Sequence, residues 1–205
     1  MPIKSLSSSS LLNFQKYSSL LAGNEPVSVG GAFDLLETTT LTTSANSISF
    51  TGLGSYATNY KHLQVRYIGR CGSANTNNGL EVYINGDTGS NYTYHRIVGN
   101  GSTVETFGLG SVLTSGIVGR ITGGNADTGT YGAGSVNFLD FGSTQKNKTI
   151  RSLGGYANTA GAGYYICLDS VAWLNTAAIT SLTFKAQTGS EDFIAGTRFS
   201  LIGVK

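Results

Sequence analysis

From Phe33 onward apolar residues recur at every second position, and this period constrains the fold more than any other feature. Leu63, Val65 and Tyr67 alternate with His62, Gln64 and Arg66, and Leu80, Val82 and Ile84 alternate with Glu81 and Tyr83. A period of two sends one set of side chains into a core and the other toward solvent, the signature of a pleated strand. Asn78-Gly79, Asn85-Gly86-Asp87, Asn100-Gly101, Gly123-Gly124-Asn125 and Thr188-Gly189 punctuate the runs with residues that tolerate positive φ. Further strands are predicted at Phe33–Thr39, Ser47–Thr51, Tyr92–Val98, Ser135–Phe141, Thr149–Tyr156, Tyr164–Leu174, Ile179–Gln187 and Thr197–Val204. Between Gly99 and Gly134 the signals are weaker, so extended loops are expected there around one short strand near Gly116–Ile121. The economical architecture is all-β, an antiparallel jelly-roll-like β-sandwich over residues 32–205.

Residues 1–31 read differently, as an N-terminal anchoring arm with room for one short helix. Ser10 can cap such a helix, Leu11, Phe14, Tyr17 and Leu21 recur near helical spacing, and Gly23 with Pro26 ends the run. A helix this short is marginal alone and needs a surface to lie on. Leu6, Leu11, Leu12, Phe14, Tyr17, Leu20 and Leu21 are therefore the candidate anchoring residues. Asn13, Gln15 and Lys16 interrupt the apolar positions, against a secretory signal, so synthesis in a cytoplasm with release by lysis is expected.

Charged residues make up only 12% of the chain, and Gly occupies 29 positions. A weakly charged polar surface suits flanks covered by neighbours, because amides and hydroxyls are buried at lower cost than ions. The net charge is +2 with Lys and Arg scattered, which argues against nucleic acid as a partner. No run approaches the ~18 apolar residues of a spanning helix, so no membrane insertion is expected. Cys71 and Cys167 form no metal-binding pair and are expected to be free buried thiols.

No nucleophile elbow, phosphate-binding loop or dinucleotide fingerprint is present, and His62 and His95 lack an oriented carboxylate in the sequence pattern, so no enzymatic activity and no cofactor are expected. Asp140 and Asp169 each follow apolar strand residues and are expected to pair with Arg151 or Arg198. Asn85 to Asn91 spaces oxygen-bearing side chains as calcium loops do, but without the distal glutamate it reads as a hairpin turn, and no metal is assigned. Tyr92, Tyr94, Tyr131, Tyr156, Tyr164 and Tyr165 are candidates for core, interface or a sugar platform. Tyr164–Leu174 is apolar on both faces, which places it mid-sheet or beneath a neighbouring subunit, with Tyr164, Tyr165 and Trp173 as candidate interface residues.

Four segments together carry a family likeness: Met1-Pro2-Ile3-Lys4-Ser5-Leu6, Phe33-Asp34-Leu35-Leu36-Glu37-Thr38, Tyr60-Lys61-His62-Leu63-Gln64-Val65-Arg66 and Ala195-Gly196-Thr197-Arg198-Phe199-Ser200-Leu201-Ile202-Gly203-Val204-Lys205. They resemble virion structural proteins of tailed phages, particularly marine and cyanobacterial ones. The resemblance implies a particle component, a capsid decoration or a short fibre, and supplies no catalytic residue. It implies other virion proteins as partners and a homo-oligomer, expected as a trimer. The alternative is a receptor-recognition module that binds host surface glycans through the Gly99–Gly134 loops.

Overall fold

The computed structural model describes residues 31–159, 163–187 and 191–205, with backbone alone at 109–111. The chain divides into two units, Met1–Phe33 and Asp34–Lys205. The expected arm helix and all seven candidate anchoring residues lie outside the described residues.

The second unit is all-β. Its strands are β1 (Phe33–Thr40), β2 (Ile48–Phe50), β3 (His62–Gly69), β4 (Asn77–Ile84), β5 (Tyr92–Gly99), β6 (Val104–Leu113), β7 (Gly116–Thr122), β8 (Gly132–Phe138), β9 (Lys148–Ala157), β10 (Tyr164–Trp173), β11 (Leu182–Ala186) and β12 (Arg198–Val204). They form a large sheet in the order β1-β12-β3-β8-β9-β10-β5-β6 and a small one in the order β2-β11-β4-β7. Neighbours β1 and β12, β2 and β11, β3 and β8, and β4 and β7 are nested pairs, each enclosing the next. Such nesting is the topology of a jelly roll, whose two sheets share strands of one folded-over ribbon. The remaining strands, β9, β10, β5 and β6, extend the large sheet beyond that unit.

Inward positions of both sheets build the core. Phe184 lies 5.1 Å from Phe199, 6.4 Å from Phe50 and 6.5 Å from Phe138, and Phe193 and Tyr67 close around Phe199. Leu63, Val65, Leu80, Val82, Ile84 and Leu201 are fully buried beside them, as their alternation predicts. Asn85 and Gly86 both take positive φ, which makes the Asn-Gly turn after β4. The Asn85 side chain then stitches this turn to the segment that leads into the neighbouring strand β11, donating to the Ala178 carbonyl and accepting from the N–H groups of Thr180 and Ser181. Both cysteines are free and buried.

The stretch expected to be mostly loop holds more structure than its pattern shows. Val104–Leu113 is a ten-residue strand, and β8 begins at Gly132. Glycines hide both, because a strand position without a side chain loses the alternation signal. Gly108 has a physical reason: a Cβ there would lie 2.4 Å from the His95 ring, which crosses it from β5. Gly134 and Gly154 make room in the same way for the Tyr67 hydroxyl.

Candidate docking face

Pairing registers assign each residue of the extension to a face. Leu168 on β10 stands opposite Ile97 on β5 and Leu153 on β9, and Ile166 stands opposite Gly99 and Gly155. One strand further, Ile97 faces Thr106 and Gly99 faces Val104 on β6. These residues share the outer face, turned away from the small sheet, and are open to solvent: Ile166 is 62% exposed, Leu153 53%, Leu168 52% and Ile97 49%. With Tyr164 and Val104 they offer on the order of 500 Å² of apolar surface, at the upper end for a monomer. A shallow depression of about 350 Å³ opens among them, lined by His95, Ile97, Thr106, Gly108, Leu168 and Ser170. The jelly-roll half of the same face is mostly polar, with Arg66, Ser135, Asn137, Arg198 and Ser200 outward around Ile68.

The inner face of the extension is different in kind. β7 lies over β9 and β10 there, and the gap holds buried polar groups, most of them paired, with Arg120 Nε and the Tyr156 hydroxyl left without a hydrogen-bond partner among the described residues. Arg96 donates through Nε to Asp169, and Ser152 donates to the other Asp169 oxygen at 2.8 Å. Burial works against the Arg96 charge, but the bond to and charge of Asp169 more than offset it and hold the guanidinium above its ordinary value. Arg120 sits 5.8 Å from the Tyr165 ring centroid and donates to Asn77 Oδ1 at 3.1 Å; burial and then the Arg96 charge pull its pKa down. Burial pushes the Cys167 thiol up to about 11, away from nucleophilic use at neutral pH.

The candidate residues of the sandwich that the structure describes take definite places. Asp169 pairs with Arg96, not with Arg151 or Arg198, because the β10–β5 register sets Asp169 opposite Arg96 on the inner face while both expected partners point outward. Asp140 pairs with Lys146 instead, and that hydrogen bond first of all lowers its carboxyl pKa. His62 accepts the Asp140 backbone N–H through Nδ1 at 2.8 Å, an acceptor role that requires the unprotonated nitrogen. Trp173 is buried within the protomer: it is 1% exposed, on the core-facing side of β10, with its indole N–H donated to Asp87 at 2.7 Å. Tyr165 also turns inward, 5.6 Å from Tyr156, whereas Tyr164 remains on the outer face.

The six tyrosines do not form one platform. Tyr92 and Tyr156 are buried, and Tyr131 donates to the Ala195 carbonyl. In the Asn85–Asn91 turn, Asp87 accepts from the Gly89 N–H, the Asn91 amide and the Trp173 indole, so its oxygens face donors rather than a cation. Burial disfavours the Asp87 charge, but these three donors together hold its carboxyl below the ordinary aspartate range. Among the described residues no cluster of three metal-ligating side chains occurs. The second depression, about 400 Å³ beside Tyr60, Lys61, Asp140 and Lys146, offers one carboxylate already paired with a lysine.

No family model matches the chain, and neither a curated protein nor a solved structure is significantly similar. The outer-face residues Ile97, Val104 and Leu153 were not singled out from the sequence. Only the two-sided apolarity of Tyr164–Leu174 signalled them, since their convergence depends on a register that pattern alone leaves open.

Proposed function

We propose that the chain is a non-enzymatic structural component on the exterior of a tailed-phage virion, a capsid decoration or short fibre, that works by self-assembly and by docking to other virion proteins. The observation that carries this reading is the apolar outer face of the extension. The sandwich has a complete core of its own, so the outward halves of Ile97, Leu153, Ile166 and Leu168 contribute nothing inside it, and leaving them in water forgoes about 1 kcal/mol for each side chain. A neighbouring copy that covers them recovers that free energy, which suits a homo-oligomer, with a trimer as the expected form. Four more strands than a jelly roll needs is the structural addition that creates the face. Glycan recognition draws less support, because the aromatic side chains it would use are divided between core and surface.

Two measurements test the proposal. Gold-labelled antibody against the chain should decorate purified particles in electron micrographs, and unlabelled particles would end the virion reading. Analytical ultracentrifugation of the full chain should show an oligomer at micromolar concentration; a monomer at every concentration would end the self-assembly reading.

A further inference from the structure

The outer face of the large sheet has a second zone beside the apolar one. Arg198 on β12 stands opposite Ile68 on β3, Arg66 lies two residues along β3, and Arg151 on β9 lies two strands beyond. With strands ~4.8 Å apart and ~3.4 Å per residue, neighbouring members of this trio have Cα atoms ~8 and ~12 Å apart. All three side chains are exposed, and no ion pair to any of them occurs among the described residues. No aspartate or glutamate occupies an outward position in the register from β12 across to β6. The sheet face is thus positive at one end, apolar at the other, and without a carboxylate between.

Arg66 is also held in place. Its Nε donates to Gln64 Oε1 at 2.8 Å, and Gln64 in turn donates to Asn137 Oδ1 at 2.8 Å. That chain occupies Nε and leaves the two terminal nitrogens of Arg66 without a hydrogen-bond partner among the described residues, available to pair a carboxylate bidentately. Part of the ordering entropy that normally weakens a surface ion pair is already lost before a partner arrives.

We infer that the arginine zone receives a carboxylate-rich stretch of a different protein, alongside the apolar end that a neighbouring copy covers; this rests on the reading of the chain as an assembly component. A second copy does not fit the zone. The chain's longest run of acidic residues is the pair Glu191-Asp192, so it has no acidic segment to offer itself. Nucleic acid fits the charge, but the leucines beside the arginines give a base no ring to stack on, and the rings that this face does carry, His95 and Tyr164, lie on β5 and at the far end of β10, so an oligonucleotide is a competing arm of the test.

The test uses the full chain and a fluorescent peptide of glutamates and leucines, read by anisotropy. Binding should weaken with added salt and fall on the order of tenfold in the triple variant Arg66→Glu, Arg151→Glu, Arg198→Glu, as expected for three exposed ion pairs reversed together. The triple lysine variant should fall in between, because it keeps charge and loses the fork. Equal peptide binding by the wild type and the charge-reversed variant overturns the inference. So does tighter binding of a single-stranded oligonucleotide or of hyaluronate than of the peptide, and so does loss of self-association in the reversed variant, which would make the partner a second copy. Thermal melting of each variant checks that the sandwich remains folded. Particles that contain the chain while the peptide does not bind refute the acidic partner alone; peptide binding by a chain absent from particles refutes the virion reading alone.

Discussion

The two faces of β10 are made of much the same kinds of residue, yet they have opposite fates. Cys167, Val171 and Trp173 point inward and are buried, while Ile166 and Leu168, one position away, stand half or more in solvent. Hydrophobicity therefore does not decide which side is core; the register with β5 and β9 and the presence of β7 over one side do. The lesson is that substitutions on the inner face should change folding, and substitutions on the outer face should change only association.

The sharpest way to break that division is the buried pair. Arg96→Met leaves Asp169 without its guanidinium on the inner face, where only Ser152 still donates to it. Loss of one partner from a buried ion pair costs about 3–5 kcal/mol, a large part of a domain's stability, so the urea midpoint should collapse. Adding Asp169→Leu to the same chain should recover most of the loss, because the uncompensated charge is then gone. If the single variant melts like wild type, the inner face is wetter than its geometry shows and the contrast with the outer face fails.

A smaller effect is expected where the inner face reaches the turn after β4. Asp87→Ala removes the acceptor of the buried Trp173 indole N–H together with the Asn91 and Gly89 bonds, and should cost about 2 kcal/mol. Tryptophan fluorescence isolates the event, since Trp173 is the chain's one tryptophan. The pH dependence has a definite sign. The folded carboxyl titrates below its unfolded value of about 3.9, so its stabilisation is present above that pH and disappears as pH falls through the folded value. Wild type should thus lose stability relative to Asp87→Ala on acidification, and parallel pH profiles would remove the assigned role.

Much of this contrast was legible in the residues, and the part that was not has a clear cause. Alternation at Leu63–Tyr67 and Leu80–Ile84 identified core faces because each is apolar on one side only. At Tyr164–Leu174 both sides are apolar, so periodicity showed a strand without showing its inner side, and Trp173 stood among the candidate interface residues because of that two-sided apolarity. The strand β6 went unseen because Gly108 and Gly110 interrupt its pattern. The Arg96–Asp169 pair was out of reach for another reason: its partners lie 73 residues apart, and choosing Arg96 over Arg151 or Arg198 requires knowing which strands are neighbours.

The smallest effect on stability is expected on the outer face, and it is the most informative about function. Ile166→Thr combined with Leu168→Gln changes side chains that are already solvated, keeps β-compatible residues in the strand, and leaves Cys167 and Asp169 in their inward positions. Folding free energy should stay within about 0.5 kcal/mol of wild type, the usual range for surface substitutions. If these residues are covered by a neighbouring copy, the same variant should sediment as a smaller species, because each side chain then loses the ~1 kcal/mol that covering its exposed half supplies. A variant that unfolds would mean that the outer face supports the core after all. One that folds and assembles like wild type would move the contact between copies elsewhere on the molecule, leaving the apolar end of the face to whichever partner the arginines recruit.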